Sequence, residues 1–238
     1  MEQEEDPRCL DRRNLLLLSG LVLRGLLEYC MQSKNRLLST EQRQLTDMFV
    51  MIEKVLRHGF KVSKNLINLR TPDQELWLML ERVSKMSKEA EETLACSNQL
   101  PITTSVCRLR AWLRLAVMQK KLADYFHLLV EAKPLLREYY EEWALLRHES
   151  TADVFAGSLI GLRCIDCNLY LSEEDLNKQP LNVDLSLYIK MPTVPVEEEE
   201  EEEASTSSKK DQMIGELNRE MKTVLDQKNY LEERNRQL

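Results

Sequence analysis

Arg110, Arg114 and Lys121 stand at intervals of four and seven in the stretch Arg110-Ala-Trp-Leu-Arg-Leu-Ala-Val-Met-Gln-Lys-Lys-Leu-Ala-Asp-Tyr125. At about 100° per residue the three fall within roughly 40° of one another on a helix. Most other positions there are apolar, so a helix fit for burial keeps one narrow basic stripe. Folding does not require such a stripe, which makes it the first place to look for a partner. Arg108 and Lys120 widen it, and Arg57, Lys61 and Lys64 form a second basic set near the end of another predicted helix. The plainer alternative is a solvated face, or internal ion pairs with neighbours such as Glu53 and Asp124.

Other chemistries find little support. Cys164-Ile-Asp-Cys167 stands alone, whereas a structural zinc site needs four ligands and a redox pair sits at a strand-to-helix start. The two thiols are expected to be packed in the core and inert. His58, His127 and His148 are isolated, and the glycines form neither GxGxxG nor GxxxxGK[ST]. The glutamate run 197–203 reads as a solvated spacer, since a calcium site needs a shaped cage of oxygens. Trp77, Trp112, Tyr125, Phe126, Tyr139, Tyr140 and Trp143 read as core. No enzyme activity, cofactor or metal is expected.

The elements that must position the cations are helical. Six glycines and seven prolines in 238 residues, with abundant Leu, Glu, Lys and Arg, point to an all-α fold. Residues 1–190 carry 26 basic and 27 acidic side chains, and residues 191–238 carry 7 and 13. The net charge of −7 therefore belongs to the tail. A body this close to neutral is not a general nucleic-acid binder, which would need a broad basic face. Six cysteines without framework spacing indicate a reduced, intracellular chain. The run Leu15–Leu27 is short of the about 20 residues that span a membrane and is interrupted by Arg24, so a buried helix is expected.

Capping chemistry sets the helix starts. Asp11 is expected to open a helix to about Gln32, and Ser39-Thr-Glu-Gln42 one through Met48, Ile52 and Leu56. Thr71-Pro72-Asp73-Gln74 combines a Thr cap, Pro at the first position and Gln three residues on. Pro101–Ser105 caps the helix of the basic stripe, Pro134 divides it from the next, and Ser150–Asp153 starts a central apolar helix to about Leu171. Val183–Ile189 alternates like a strand but lacks a partner, so it is expected to be extended or one short helical turn on the body. These signals divide the chain into a disordered N-terminus at 1–9, a helical domain at 10–190, a disordered acidic linker at 191–211 and a coiled-coil start at 212–238. In the last, Ile214, Leu217, Met221, Val224, Leu231 and Leu238 follow 3-4 spacing, with Lys228 and Asn235 at the remaining a-type positions. The pattern breaks off at Leu238, as expected of a fragment or short form of something longer.

The segment Arg110–Tyr125 resembles the RUN domain of the RUN-and-FYVE-domain family. The likeness extends to Phe49–Glu53, Leu56–Lys61, Leu135–Tyr140, Ala144-Leu145, Ala156–Leu162, Asp166, Glu174–Leu176 and Val183–Lys190, and Val224–Glu233 is similar to the opening of its coiled coil. The resemblance implies an all-helical domain that engages small GTPases of the Rab, Rap or Arl kinds, with the basic residues above as the partner-binding set. It implies an adaptor in endosomal or lysosomal traffic, cytoplasmic and reaching membranes only through partners, with self-association or a motor adaptor on the coiled coil. A dimerising scaffold that links cytoskeleton or motor adaptors without GTP dependence is the alternative. Where the family usually reads Gly-Arg-Gly-Arg, this chain has Cys107-Arg108-Leu109-Arg110, and the Cys pairs of a FYVE-type finger are absent from it.

Overall fold

The computed structural model describes residues 6–33, 37–61 and 70–189. Lys64, the acidic linker and all six coiled-coil positions lie outside the described residues. The described residues up to Tyr188 belong to one compact unit, and of the separate unit Ile189–Leu238 only Ile189 is described. In chain order the elements are α1 (Pro7–Gln32), β1 (Leu37–Ser39), α2 (Arg43–Arg57), α3 (Pro72–Ser84), α4 (Lys88–Asn98), α5 (Ser105–Met118), α6 (Leu122–Glu131), α7 (Lys133–Tyr139) and α8 (Glu149–Ser158). A 3-10 segment (Leu159–Cys164), β2 (Asp166–Asn168), α9 (Glu173–Asn177) and α10 (Ser186–Ile189) follow. The fold is all-α; three-residue strands β1 and β2 pair in parallel and tie two loops together.

Helices α2 and α5 are the inner elements, because apolar side chains occupy most of their circumference. From α2, Met48, Ile52, Val55 and Leu56 are fully enclosed, and from α5, Trp112, Leu113, Ala116 and Val117. Trp112 stacks on Tyr125 at 5.7 Å between ring centroids, and Phe126 meets Phe155 edge-on at 5.4 Å. A second, smaller apolar cluster of Ile102, Cys107, Ala111 and Leu176 fastens α9 to the start of α5. Cys107 is fully buried in this cluster, and Leu109 in the main core. The carboxylate of Glu173 accepts from the backbone N–H groups of Thr103 and Thr104 at 3.1 and 3.0 Å, so α9 caps the entry to α5. Those bonds hold the Glu173 carboxyl below its usual range.

The starts differ instructively from the sequence reading. Helix α1 begins at Pro7 with Asp6 as its cap, five residues before Asp11, because Pro at the first turn needs no N–H partner. The Thr71 capping box forms in full, with reciprocal bonds of 2.9 and 3.3 Å. Ser39–Gln42 forms only the half in which the Gln42 side chain reaches back to the Ser39 N–H, and α2 opens one residue later. The expected apolar helix to Leu171 stops at Ser158 and continues as a 3-10 segment into β2. It is not central: Val154 and Ile160 are exposed. The residues Val183–Ile189 end in the short turn α10, capped by Asp184.

Candidate functional site

The predicted basic stripe does not exist as a surface. Arg110 and Arg114 are 4% and 2% exposed, so neither presents a charge to a partner. Lys121 is not on their helix: α5 ends at Met118, and Lys120 takes a positive φ of 62° that turns the chain into α6. The regular 100° step fails across that turn. Lys120 instead pairs with Asp166 at 2.7 Å and Lys121 with Glu89 at 2.7 Å.

What the arginines do is inside. Arg110 donates Nε to Glu53 Oε2 at 3.0 Å and Nη1 to the Leu176 carbonyl at 2.9 Å. Arg114 donates to the Arg110 carbonyl at 3.2 Å and to Gln179 Oε1 at 3.1 Å. Gln179 closes the ring by donating Nε2 to Glu53 Oε2 at 2.7 Å. Arg57 donates to Glu53 Oε1 at 2.8 Å and pairs with Asp73 at the start of α3. One carboxylate thus gathers α2, α5 and the segment after α9, while Arg57 adds α3.

The balance of charge in this network is uneven. Arg110 and Arg114 are both buried, and Glu53 is the one buried carboxylate that bonds into it among the described residues. The Arg114 guanidinium lies 4.8 Å from the Phe49 ring centroid, a cation–π contact that offsets part of its desolvation. Burial, with the Arg110 charge beside it, pushes Arg114 down to about 10, so it stays cationic at neutral pH. Its Nε has no hydrogen-bond partner among the described residues.

The network borders a solvent-facing groove. A shallow groove of about 120 Å³ has Glu53 and Arg110 in its lining, with Val50, Lys54, Arg57, Pro180 and Leu181 around them. Leu181 is 76% exposed, and the Lys54 ammonium donates to Asn182 Oδ1 at 3.0 Å. At the far end of α2, Lys61 donates to the Arg137 carbonyl at 2.8 Å beside a wider concavity of about 780 Å³. Arg8, Arg137, Arg147 and Trp143 line that concavity together with Asp6, Glu141 and Glu142. Arg108 is half-buried and donates to the Ile102 carbonyl at 3.3 Å. Of the predicted cations, Arg57 therefore keeps an exposed aspect on α2, where Lys54 and Leu181, absent from the sequence reading, join it, and Lys61 lies just past the helix end.

The Cys164/Cys167 pair also departs from expectation. Cys164 is exposed and Cys167 half-buried, because the segment is a 3-10 turn and strand rather than a core helix. Burial pushes the Cys167 thiol up to about 11. No group of three or more potential metal ligands gathers among the described residues.

The site is thus an all-helical body whose buried arginines are tied to one carboxylate beneath a mixed polar and apolar rim. The RUN domain family model matches residues 47–173, from the first buried turn of α2 to the cap of α5, and the chain belongs to that family. It is 40% identical over 237 residues to "RUN and FYVE domain-containing protein 2" of Homo sapiens, covering 98% of this chain and 35% of that protein. It is 38% identical to "Protein RUFY3" of Rattus norvegicus, covering 98% of this chain and 46% of the relative. With "RUN and FYVE domain-containing protein 1" of Homo sapiens the identity is 38%, over 96% of this chain and 29% of the relative. The chain thus spans less than half the length of these curated relatives.

Proposed function

We propose that this chain is a non-enzymatic adaptor of membrane traffic whose helical domain docks on a GTP-bound small GTPase of the Rab, Rap or Arl kinds. Membership of the RUN family is the observation that carries this reading. In it the chain is cytoplasmic and reaches endosomal or lysosomal membranes through its partners. Residues 212–238 link it to a second chain or to a motor adaptor through their heptad spacing.

The docking surface is the outer face of α2 with the segment 180–182. Leu181 supplies an apolar centre, Lys54 and Arg57 a basic rim, and Lys61 a further cation just past the end of α2. An apolar centre with a charged rim is how protein interfaces combine contact energy with selection against wrong partners. Arg110 and Arg114 support this surface from beneath by fixing α2 against α5.

Pull-down of a GTPase panel, each member loaded with a non-hydrolysable GTP analogue or with GDP, tests the reading. At least one member should bind in its GTP form, and Leu181→Asp should remove that binding without lowering the melting temperature. The heptad pattern favours the rival, a scaffold that dimerises without nucleotide-dependent contacts. Binding that ignores the nucleotide, or no binding by any member, would establish that rival instead.

A further inference from the structure

Helix α1 and its neighbour α8 lie outside the proposed docking surface. Helix α1 packs one side on α2, α8 and the 3-10 segment. On its other side Leu10, Arg13, Leu17, Gly20, Arg24 and Met31 are all exposed. At 100° per residue these six positions fall within a band of roughly 80°. Leu17 is 64% exposed there, and on the neighbouring α8 Val154 is 60% exposed. Gly20 sits in the middle of a 26-residue helix, where glycine costs about 1 kcal/mol relative to alanine. A Cβ at Gly20, or at Gly157 on α8, would meet nothing within 4 Å. Nothing among the described residues requires glycine at either place, whereas close approach of another backbone would.

We propose that this α1–α8 face is a self-association surface that a second copy of the chain covers, α1 of one copy lying against α8 of the other. Two observations choose this occupant. The first is charge: α1 carries Arg24 in its exposed band, and α8 carries exposed Asp153. Neither Arg24 nor Asp153 has an ion-pair partner within 4 Å among the described residues. A two-fold relation is self-complementary, so it brings these opposite charges together twice, while a membrane surface would leave Asp153 facing anionic headgroups. The second is the tether. About 22 residues separate Ile189 from the heptad pattern that starts at 212. If that pattern pairs in parallel, two bodies are held within a few tens of ångströms of each other, an effective concentration on the order of 1 mM. A contact too weak to form between free bodies is then populated.

Analytical ultracentrifugation of the full chain tests this. Leu17→Glu and, separately, Gly20→Trp should raise the dimer dissociation constant at least tenfold, while Gly20→Ala leaves it within about twofold. Both positions are exposed, so helicity and melting temperature should not fall below wild type, which marks the loss as one of contact rather than of folding. In a chain whose coil is broken by Leu217→Asp with Leu231→Asp, weaker association should persist and should vanish on adding Leu17→Glu. An unchanged dissociation constant in both Leu17→Glu and Gly20→Trp overturns the proposal. So does a coil-broken chain that remains monomeric up to about 1 mM. Co-sedimentation with phosphatidylcholine–phosphatidylserine vesicles covers the rival occupant: pelleting of wild type that Leu17→Glu abolishes would make the face a membrane surface.

Discussion

Glu53 ties separate parts of the fold together, since Arg57, Arg110 and Gln179 all donate to it. Removing one member of a buried ion pair strands the other, at a cost of about 3–5 kcal/mol. Glu53→Gln should accordingly lower the melting temperature by on the order of 10 °C. Arg110→Glu with Arg114→Glu should abolish the folded state rather than spare it. A Glu53→Gln protein that melts within 2 °C or so of wild type would show that the network is dispensable. Much of this was legible: Glu53 interrupts the apolar run Phe49–Ile52, and it was a foreseeable ion-pair neighbour of the stripe. Gln179 was not, because a neutral amide in a loop leaves no pattern and lies 126 residues from the carboxylate it satisfies. Reading the arginines as surface failed because helical spacing shows which residues share a face but not whether that face is covered.

At the scale of elements, local rules held where the chemistry was local. The Thr71 box formed as spaced, and Thr71→Ala should cost about 1 kcal/mol of stability in a denaturant titration. The break between α5 and α6 was hidden because Lys120 carries it without a glycine. Lys120→Gly should be neutral or stabilise by up to about 1 kcal/mol, since its ion pair with Asp166 is exposed and the left-handed backbone favours glycine. A loss above 1 kcal/mol would assign the ion pair the larger role. His58, just past α2, accepts from the Leu145 N–H at 2.9 Å through Nδ1 and meets Trp143 edge-on. Burial holds its pKa below 6.5, although Asp11 lies 3.3 Å from Nε2. Between the folded value and 6.5 the unfolded chain binds a proton that the fold refuses. Stability should therefore decline as pH falls below about 6.5, by at most ~1.4 kcal/mol per pH unit. His58→Gln, which keeps an acceptor and does not titrate, should flatten that slope. Equal slopes in the two proteins would place the titrating group elsewhere.

For the molecule as a whole, helical content and family were legible because periodicity and caps recur along the chain and the RUN-like segments appear in order. The outer face of α2 was harder to find, since Lys54 and Leu181 come together only after Glu53, Arg110 and Gln179 draw the 180–182 segment onto it. The central claim is that this face recognises the GTP-bound form of a small GTPase. Isothermal titration of the panel member captured in its GTP form measures it most directly, with wild type and with Lys54→Glu plus Lys61→Glu. Among the described residues each ammonium makes one exposed hydrogen bond, so the fold should be kept. Wild type should bind the GTP-analogue form at least tenfold tighter than the GDP form, and the double variant should weaken that binding at least tenfold, about 1.4 kcal/mol per tenfold. Equal affinity for the two nucleotide forms, or full affinity in the double variant, would contradict it.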